Sequence, residues 1–214
     1  MVWSTDSALI LGIGRETRVF DGKEYPWKVG YVSSVGTFKY GEFTFRFVLP
    51  KGRNLWPALW LTDARTWPPE IDVVEGWTND RSDKHPYRKY SRGVFPIFGV
   101  NKIFPGLVTG DCIESKGGKS YYNFFHGTCS RLLDTDGGVN ECRLVWLEDS
   151  ISVYYNAHKV MEETDPGMLG WFNRSGGMEI HINNYVTNDF SEGDFDRLCG
   201  FPESCLTASF LRFP

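Results

Sequence analysis

Residues 41–50 read GEFTFRFVLP, and in them Phe43, Phe45 and Phe47 alternate one for one with Glu42, Thr44 and Arg46. A period of two puts the three rings on one face of an extended strand, and it does not fit the 3.6-residue repeat of a helix. The pattern returns along the chain. ECRLVWLE and SISVYYN are two β-rich runs joined at Glu148-Asp149-Ser150, which predicts a hairpin. MEIHINNY turns Met178, Ile180 and Ile182 inward and Glu179, His181 and Asn183 outward, and the final ASFLRFP is again strand-like. No helical period persists. Many short strands punctuated by Gly, Pro, Asn and Asp predict an all-β chain, an antiparallel β-sandwich or a barrel. With 214 residues and no linker or repeat, one domain spanning 1–214 is the simplest organisation.

Charge and composition narrow the partners. A formal net charge of −4 argues against nucleic acid, because phosphate binding needs a basic surface. No apolar run approaches the ~20 residues of a membrane helix. The start, MVWSTDSALILGIGRE, has no basic segment ahead of its short apolar run, so it reads as the beginning of the domain and not as a signal peptide. Five cysteines, Cys112, Cys129, Cys142, Cys199 and Cys205, form no C-x-x-C pair, and no metal site is expected. Cys199 with Cys205, or Cys129 with Cys142, could close a small loop; buried free thiols fit the spacing equally well. The interval 80–119 reads as a long loop insertion, and its first part, DRSDKHPYRKYSR, is rich in basic residues.

The stretch WPPEIDVVEGW, at 67–77, packs Glu70, Asp72 and Glu75 into six residues of a strand rich in β-branched side chains. Simple alternation would place Glu70 and Asp72 on one face and Glu75 on the other. One extra residue, at Val73 or Val74, restores Glu75 to their face; this is a β-bulge. The Cα atoms of the two glutamates would then lie roughly 13 Å apart. Their side chains can lean inward until the carboxyl groups are about 5–5.5 Å apart, the separation of a retaining glycosidase. Three carboxyl groups this close cannot all ionise freely, so the cluster tends to supply a carboxylate and a protonated acid together. A strand of solvated surface acids is the plain alternative. It leaves unexplained why Trp56, Trp60, Trp67 and Trp77 flank these acids, whereas aromatic rings beside carboxyl groups suit the apolar face of a sugar.

WPALWLTDARTWPPEIDVVEGW resembles the signature of glycoside hydrolase family 16, in the E-x-D-x-x-E form of its laminarinase-like members. YPWKVGYVSSVGTFKYGEFTFRFVLPKG resembles the strands leading into that motif. LVWLEDSISVYYNAHKVM, MEIHINNY and ASFLRF are similar to its later strands. The resemblance implies a jelly-roll β-sandwich with a concave substrate cleft, in which Glu70 is the nucleophile, Asp72 its assistant and Glu75 the acid/base. It also implies that His126, in NFFHG, and Asn183 position the sugar. Trp56, Trp60, Trp67, Trp77 and His181 are the remaining candidates for substrate contact.

The expected activity is endo-hydrolysis of a β-linked polysaccharide, β-1,3-glucan first, by a monomer that needs no cofactor. A structural calcium, as some relatives bind, is assigned to no residues. An agar or carrageenan hydrolase, a transglycosylase and a non-catalytic carbohydrate-binding domain are the alternatives. Polymers of this kind place the expected site of action outside the cytoplasm, in an extracellular or released protein. The chain departs from the family pattern at Asn140-Glu141-Cys142, where a His-x-Tyr is usual, and at Asn184-Tyr185-Val186-Thr187, where a Gly-containing run is usual. These departures bear on the substrate and leave the chemistry in place.

Overall fold

A computed structural model describes residues 1–50, 54–77, 102–109, 132–134, 137–187, 190–192, 194 and 206–209. His126, the basic run 80–92 and every cysteine except Cys142 lie outside them. One seven-stranded sheet is built from β1 (Val2–Ser4), β2 (Leu9–Leu11), β6 (Gly41–Val48), β10 (Asn140–Trp146), β11 (Ile151–Tyr155), β12 (His158–Glu163) and β14 (Leu206–Ser209), in the order β1-β2-β14-β6-β10-β11-β12. A five-stranded sheet contains β5 (Gly30–Ser33), β7 (Leu55–Asp63), β8 (Glu70–Trp77), β9 (Lys102–Val108) and β13 (Met178–Val186), in the order β5-β13-β7-β8-β9. β3 (Gly14–Phe20) and β4 (Lys23–Lys28) form a separate hairpin.

The alternation read from the sequence decides which faces meet. Phe43, Phe45 and Phe47 of β6, Leu144 and Trp146 of β10, and Ile151 and Val153 of β11 are buried. They share one core with Leu59 and Leu61 of β7, Ile71 and Val73 of β8, and Met178, Ile180 and Ile182 of β13. Each such side chain contributes about 1.5–3 kcal/mol when fully buried. A one-residue slip of any strand would turn its whole set outward. The hairpin expected at 148–150 joins β10 to β11, with Trp146 opposite Ile151 and the Leu147 amide donating to the Ser150 carbonyl at 2.8 Å. Cys142 is a free thiol inside this core, and burial pushes its pKa well up, so it is unreactive. Pairings that involve the other four cysteines fall outside the described residues.

Two parts of the chain differ from the sequence reading. Residues 102–108, read as loop, form β9 and pair antiparallel with β8 from Glu70↔Val108 to Trp77↔Lys102. Pro105 and Gly106 suggest a loop, yet Leu107 and Val108 are buried against the core. Pro105 sits between Phe104 (opposite Glu75) and Gly106 (opposite Asp72), where the ladder is already broken, so its missing N–H costs no pairing. The second difference is a helix, α1 (Pro166–Arg174). The Asp165 carboxylate accepts from the Met168 amide at 2.9 Å, Pro166 begins the helix, and Leu169 and Phe172 are buried.

Candidate active site

The face of the five-stranded sheet turned away from the core carries the acidic motif. Against β7 the register runs Thr62↔Glu70, Trp60↔Asp72, Leu59↔Val74 and Ala58↔Glu75, so Val73 is the extra residue of a bulge. Asp72 and Glu75 therefore stand on one face in spite of their odd spacing. Val73 has no register partner on β9 either. Its side chain stays in the core, and its carbonyl accepts from the Tyr155 hydroxyl at 2.7 Å.

β13 lies on the other side of β7 and continues three rows across the sheet. Glu179 is opposite Thr62, His181 opposite Trp60, and Asn183 opposite Ala58. The rows are thus Glu70–Thr62–Glu179, Asp72–Trp60–His181 and Glu75–Ala58–Asn183. β5 extends the last two with Ser33 and Tyr31. The outward row of MEIHINNY and the acid strand share one surface.

Indole donors tie the face together. Trp56 Nε1 donates to Glu75 Oε1 at 2.9 Å, and Trp67 Nε1 donates to Glu70 Oε2 at 2.7 Å. Trp60 Nε1 donates to Asn183 Oδ1 at 2.8 Å, and Asn183 returns a bond from Nδ2 to the Trp56 carbonyl at 3.2 Å. Trp60 also stacks on His181 with ring centroids 4.4 Å apart. The Tyr31 hydroxyl is hydrogen-bonded to His181 Nδ1, and burial lowers the histidine pKa, so the ring is neutral at pH 7. Trp67 is half exposed at 51%. Trp77 ends β8 opposite Lys102.

The three carboxyl groups differ in surroundings. Burial pushes Glu75 up to about 8; the bond from Trp56 pulls it down, and the charge on Glu70 adds to the rise. Glu75 is therefore mainly protonated at neutral pH. Asp72, 2% exposed, is raised well above the usual carboxylate range by burial and by its two acidic neighbours. Glu70 is raised by burial, and its bonds to Trp67 and Asp72 offset only part of that rise. The Glu70–Asp72 bond acts in opposite senses on its two ends, so the shared proton rests on Asp72 and the charge on Glu70. A carboxylate and a protonated carboxyl, held on one face among indoles, can combine nucleophilic attack with proton donation. Among the described residues, no cluster of His, Cys, Asp or Glu is arranged to hold a metal ion.

Tyr31 and Tyr185 also belong to this surface. Tyr185 follows Asn183 by two residues, so the alternation of β13 points to it. Tyr31 reaches His181 through a strand pairing that the sequence does not announce. Tyr25, Pro26, Trp27, Val29, Trp56, Tyr185 and Val186 line an open hollow of about 230 Å³ beside the acids.

No protein-family profile matches the chain. A 54-residue stretch is 41% identical to an endo-1,3-1,4-β-glycanase, ExsH, of Rhizobium meliloti, covering 24% of this chain and 12% of that protein. A 64-residue stretch is 38% identical to a β-glucanase of Rhodothermus marinus, covering 26% of this chain and 22% of that one. The matched segments therefore span less than a quarter of these relatives. Among solved structures, the laminarinase catalytic domain of Thermotoga maritima MSB8 superposes with a TM-score of 0.63 at 17% identity, covering 99% of this chain and 81% of that one. SCLam, a non-specific endo-β-1,3(4)-glucanase from family GH16, gives 0.63 at 16% identity, with 97% and 71% covered. The chain has the fold of these enzymes, a β-sandwich, and it resembles glycoside hydrolase family 16 in motif and in architecture.

Proposed function

We propose that this chain is a family 16 glycoside hydrolase that cuts a β-linked glucan internally, with retention of configuration at the anomeric carbon. The bulge at Val73 carries this reading, because it turns Glu75 onto the face of Glu70 and Asp72. The different titration of the acids supports it, and so do the β-glucanase names of the relatives. In the first step the Glu75 carboxyl gives its proton to the glycosidic oxygen as Glu70 attacks the anomeric carbon. The bond to the leaving sugar breaks and a glycosyl ester of Glu70 forms. In the second step the Glu75 carboxylate takes a proton from water, the water oxygen bonds to the anomeric carbon, and Glu70 leaves. Asp72 holds Glu70 by its hydrogen bond and keeps it the more ionised of the pair.

Trp56, Trp60, Trp67 and Asn183 orient the sugar at the point of cleavage, with His181 fixed behind Trp60. The aromatic hollow beside Trp56 accepts a neighbouring ring of the glycan. Trp77 and His126 remain candidates from the sequence alone. The substrate polymer places the site of action outside the cytoplasm. Among the described residues, no helix is long and apolar enough to cross a membrane.

Reducing-sugar release is the test, with laminarin, mixed-linkage glucan, agarose and carrageenan offered side by side. Release from the first two, as internal fragments, is expected. Release from agarose or carrageenan alone would move the substrate to a galactan, and transfer to added acceptors without net release would indicate a transglycosylase. Binding without any bond cleavage would reject an enzyme altogether.

A further inference from the structure

The bulge that sets up the site creates a problem in the core. Val73 pairs with neither neighbouring strand, because β7 skips from Trp60↔Asp72 to Leu59↔Val74 and β9 skips from Gly106↔Asp72 to Phe104↔Glu75. A bulged residue loses its ladder bonds, and a buried carbonyl left without a donor is costly. The donor comes from the opposite sheet. Tyr155, at the end of β11, is fully buried, and its hydroxyl crosses the core to the Val73 carbonyl at 2.7 Å. Tyr155 is 82 residues from Val73 in sequence and belongs to neither strand that flanks β8.

We propose that Tyr155 is a positioning residue for the reaction: its hydroxyl locks the Val73 bulge and thereby holds Glu75, two residues on, on the face of Glu70. This deepens the proposed function and rests on it where turnover is concerned. A tyrosine that only filled the core could be replaced by phenylalanine with no consequence beyond stability. A tyrosine that holds the bulge also sets where the Glu75 carboxyl sits and how dry its surroundings are. Burial holds the Glu75 pKa up at about 8, so loosening the bulge lets water reach the carboxyl and brings that pKa down.

The variant is Tyr155→Phe, which removes one oxygen, with Val153→Ala as a control. Val153 is buried on the same strand, and its truncation weakens the core without touching the bulge carbonyl. Carbon-13 NMR of labelled glutamate follows the titration of Glu75 without any substrate, with Glu75→Gln identifying its signal. The Glu75 titration is expected to move down by about a unit or more in Tyr155→Phe and to stay in place in Val153→Ala. On a cleaved glucan, kcat should fall about tenfold or more with KM within about twofold, and the basic limb of the pH profile should move down with the titration. An unmoved Glu75 titration in folded Tyr155→Phe overturns the proposal, whether or not the wild type cleaves glycans. A wild type that cleaves nothing would sink the proposed function while the titration still decides the role of Tyr155. If Tyr155→Phe fails to fold, the wild type labelled at the Val73 carbonyl gives the answer. A scalar coupling from the phenolic proton to that carbon supports the lock, and a carbonyl bonded elsewhere overturns it.

Discussion

Asp63 and Glu75 are both buried acids of the five-stranded sheet, at 7% and 3% exposure, on adjacent strands. Asp63 ends β7 and is surrounded by donors. Its Oδ1 accepts from the Arg65 amide at 2.8 Å, its Oδ2 from the Ser175 hydroxyl at 2.8 Å, and the Arg65 guanidinium lies 3.6 Å away. Burial raises its pKa, but the bonds from Arg65 and Ser175 outweigh it and the net shift is downward. Glu75 has an indole bond and an acidic neighbour, and there burial wins. One carboxyl is tied down as an anion and holds the fold. The other stays protonated near neutrality and has a proton to give. The donors around Asp63 outweigh its burial and make it a structural carboxylate, whereas the deeper burial of Glu75 prevails over its one indole bond and keeps a proton on it.

Activity should show the widest gap between the two regions. Glu75→Gln and Glu70→Gln are each expected to lower kcat about a thousandfold or more, whereas Asp63→Asn should leave it within about twofold. Near-normal turnover in either glutamate variant would erase the distinction. Stability should separate the acids in the opposite sense. A folded pKa of about 8 against an ordinary 4.5 means that native Glu75 binds more protons than the unfolded chain between those values. Its contribution to stability therefore drains away as pH rises through that window. Glu75→Gln should be more stable than wild type by about 3 kcal/mol at pH 7, with no difference at pH 4, in denaturant melts. Asp63 has a lowered pKa, so its contribution is present above the usual carboxylate range and fades as pH falls below it. Asp63→Asn should cost about 1–3 kcal/mol at pH 7 and less in acid.

Smaller effects follow from the indoles. Trp56→Phe removes a bond that lowers the Glu75 pKa, so the basic limb of the activity profile should move to higher pH. The loss in kcat should be about tenfold, the worth of one hydrogen bond to a reacting group. Trp67→Phe should change kcat by no more than about threefold, since Trp67 is half exposed and water can replace its donor to Glu70. Equal effects from the two indoles would mean that the site is as open to water at Glu75 as it is at Glu70.

Local pattern carried much of this into view. Three phenylalanines in strict alternation show the inner face of β6, and the five-residue spacing of two glutamates requires a bulge if both are to share a face. Glu179, His181 and Asn183 stand out as a polar row before any pairing is known. What stays hidden depends on distance in sequence or on competing local signals. Helix α1 is short and carries Gly167 and Gly170, so its only strong marks are the Asp165–Pro166 start and two buried apolar residues. β9 is masked by Pro105 and Gly106, which read as loop until β8 is known to be irregular just opposite them. The bond from Tyr155 to Val73 is invisible because nothing near Tyr155 marks it as anything but core.

The direct test of the arrangement on β8 is proton NMR of the reducing end freshly released from a β-linked glucan, read before mutarotation. Two carboxyl groups brought together by the bulge, one attacking and one donating, should release the β anomer first. An α anomer appearing first would place a water between them and contradict the geometry on which the assignment of Glu70 and Glu75 rests.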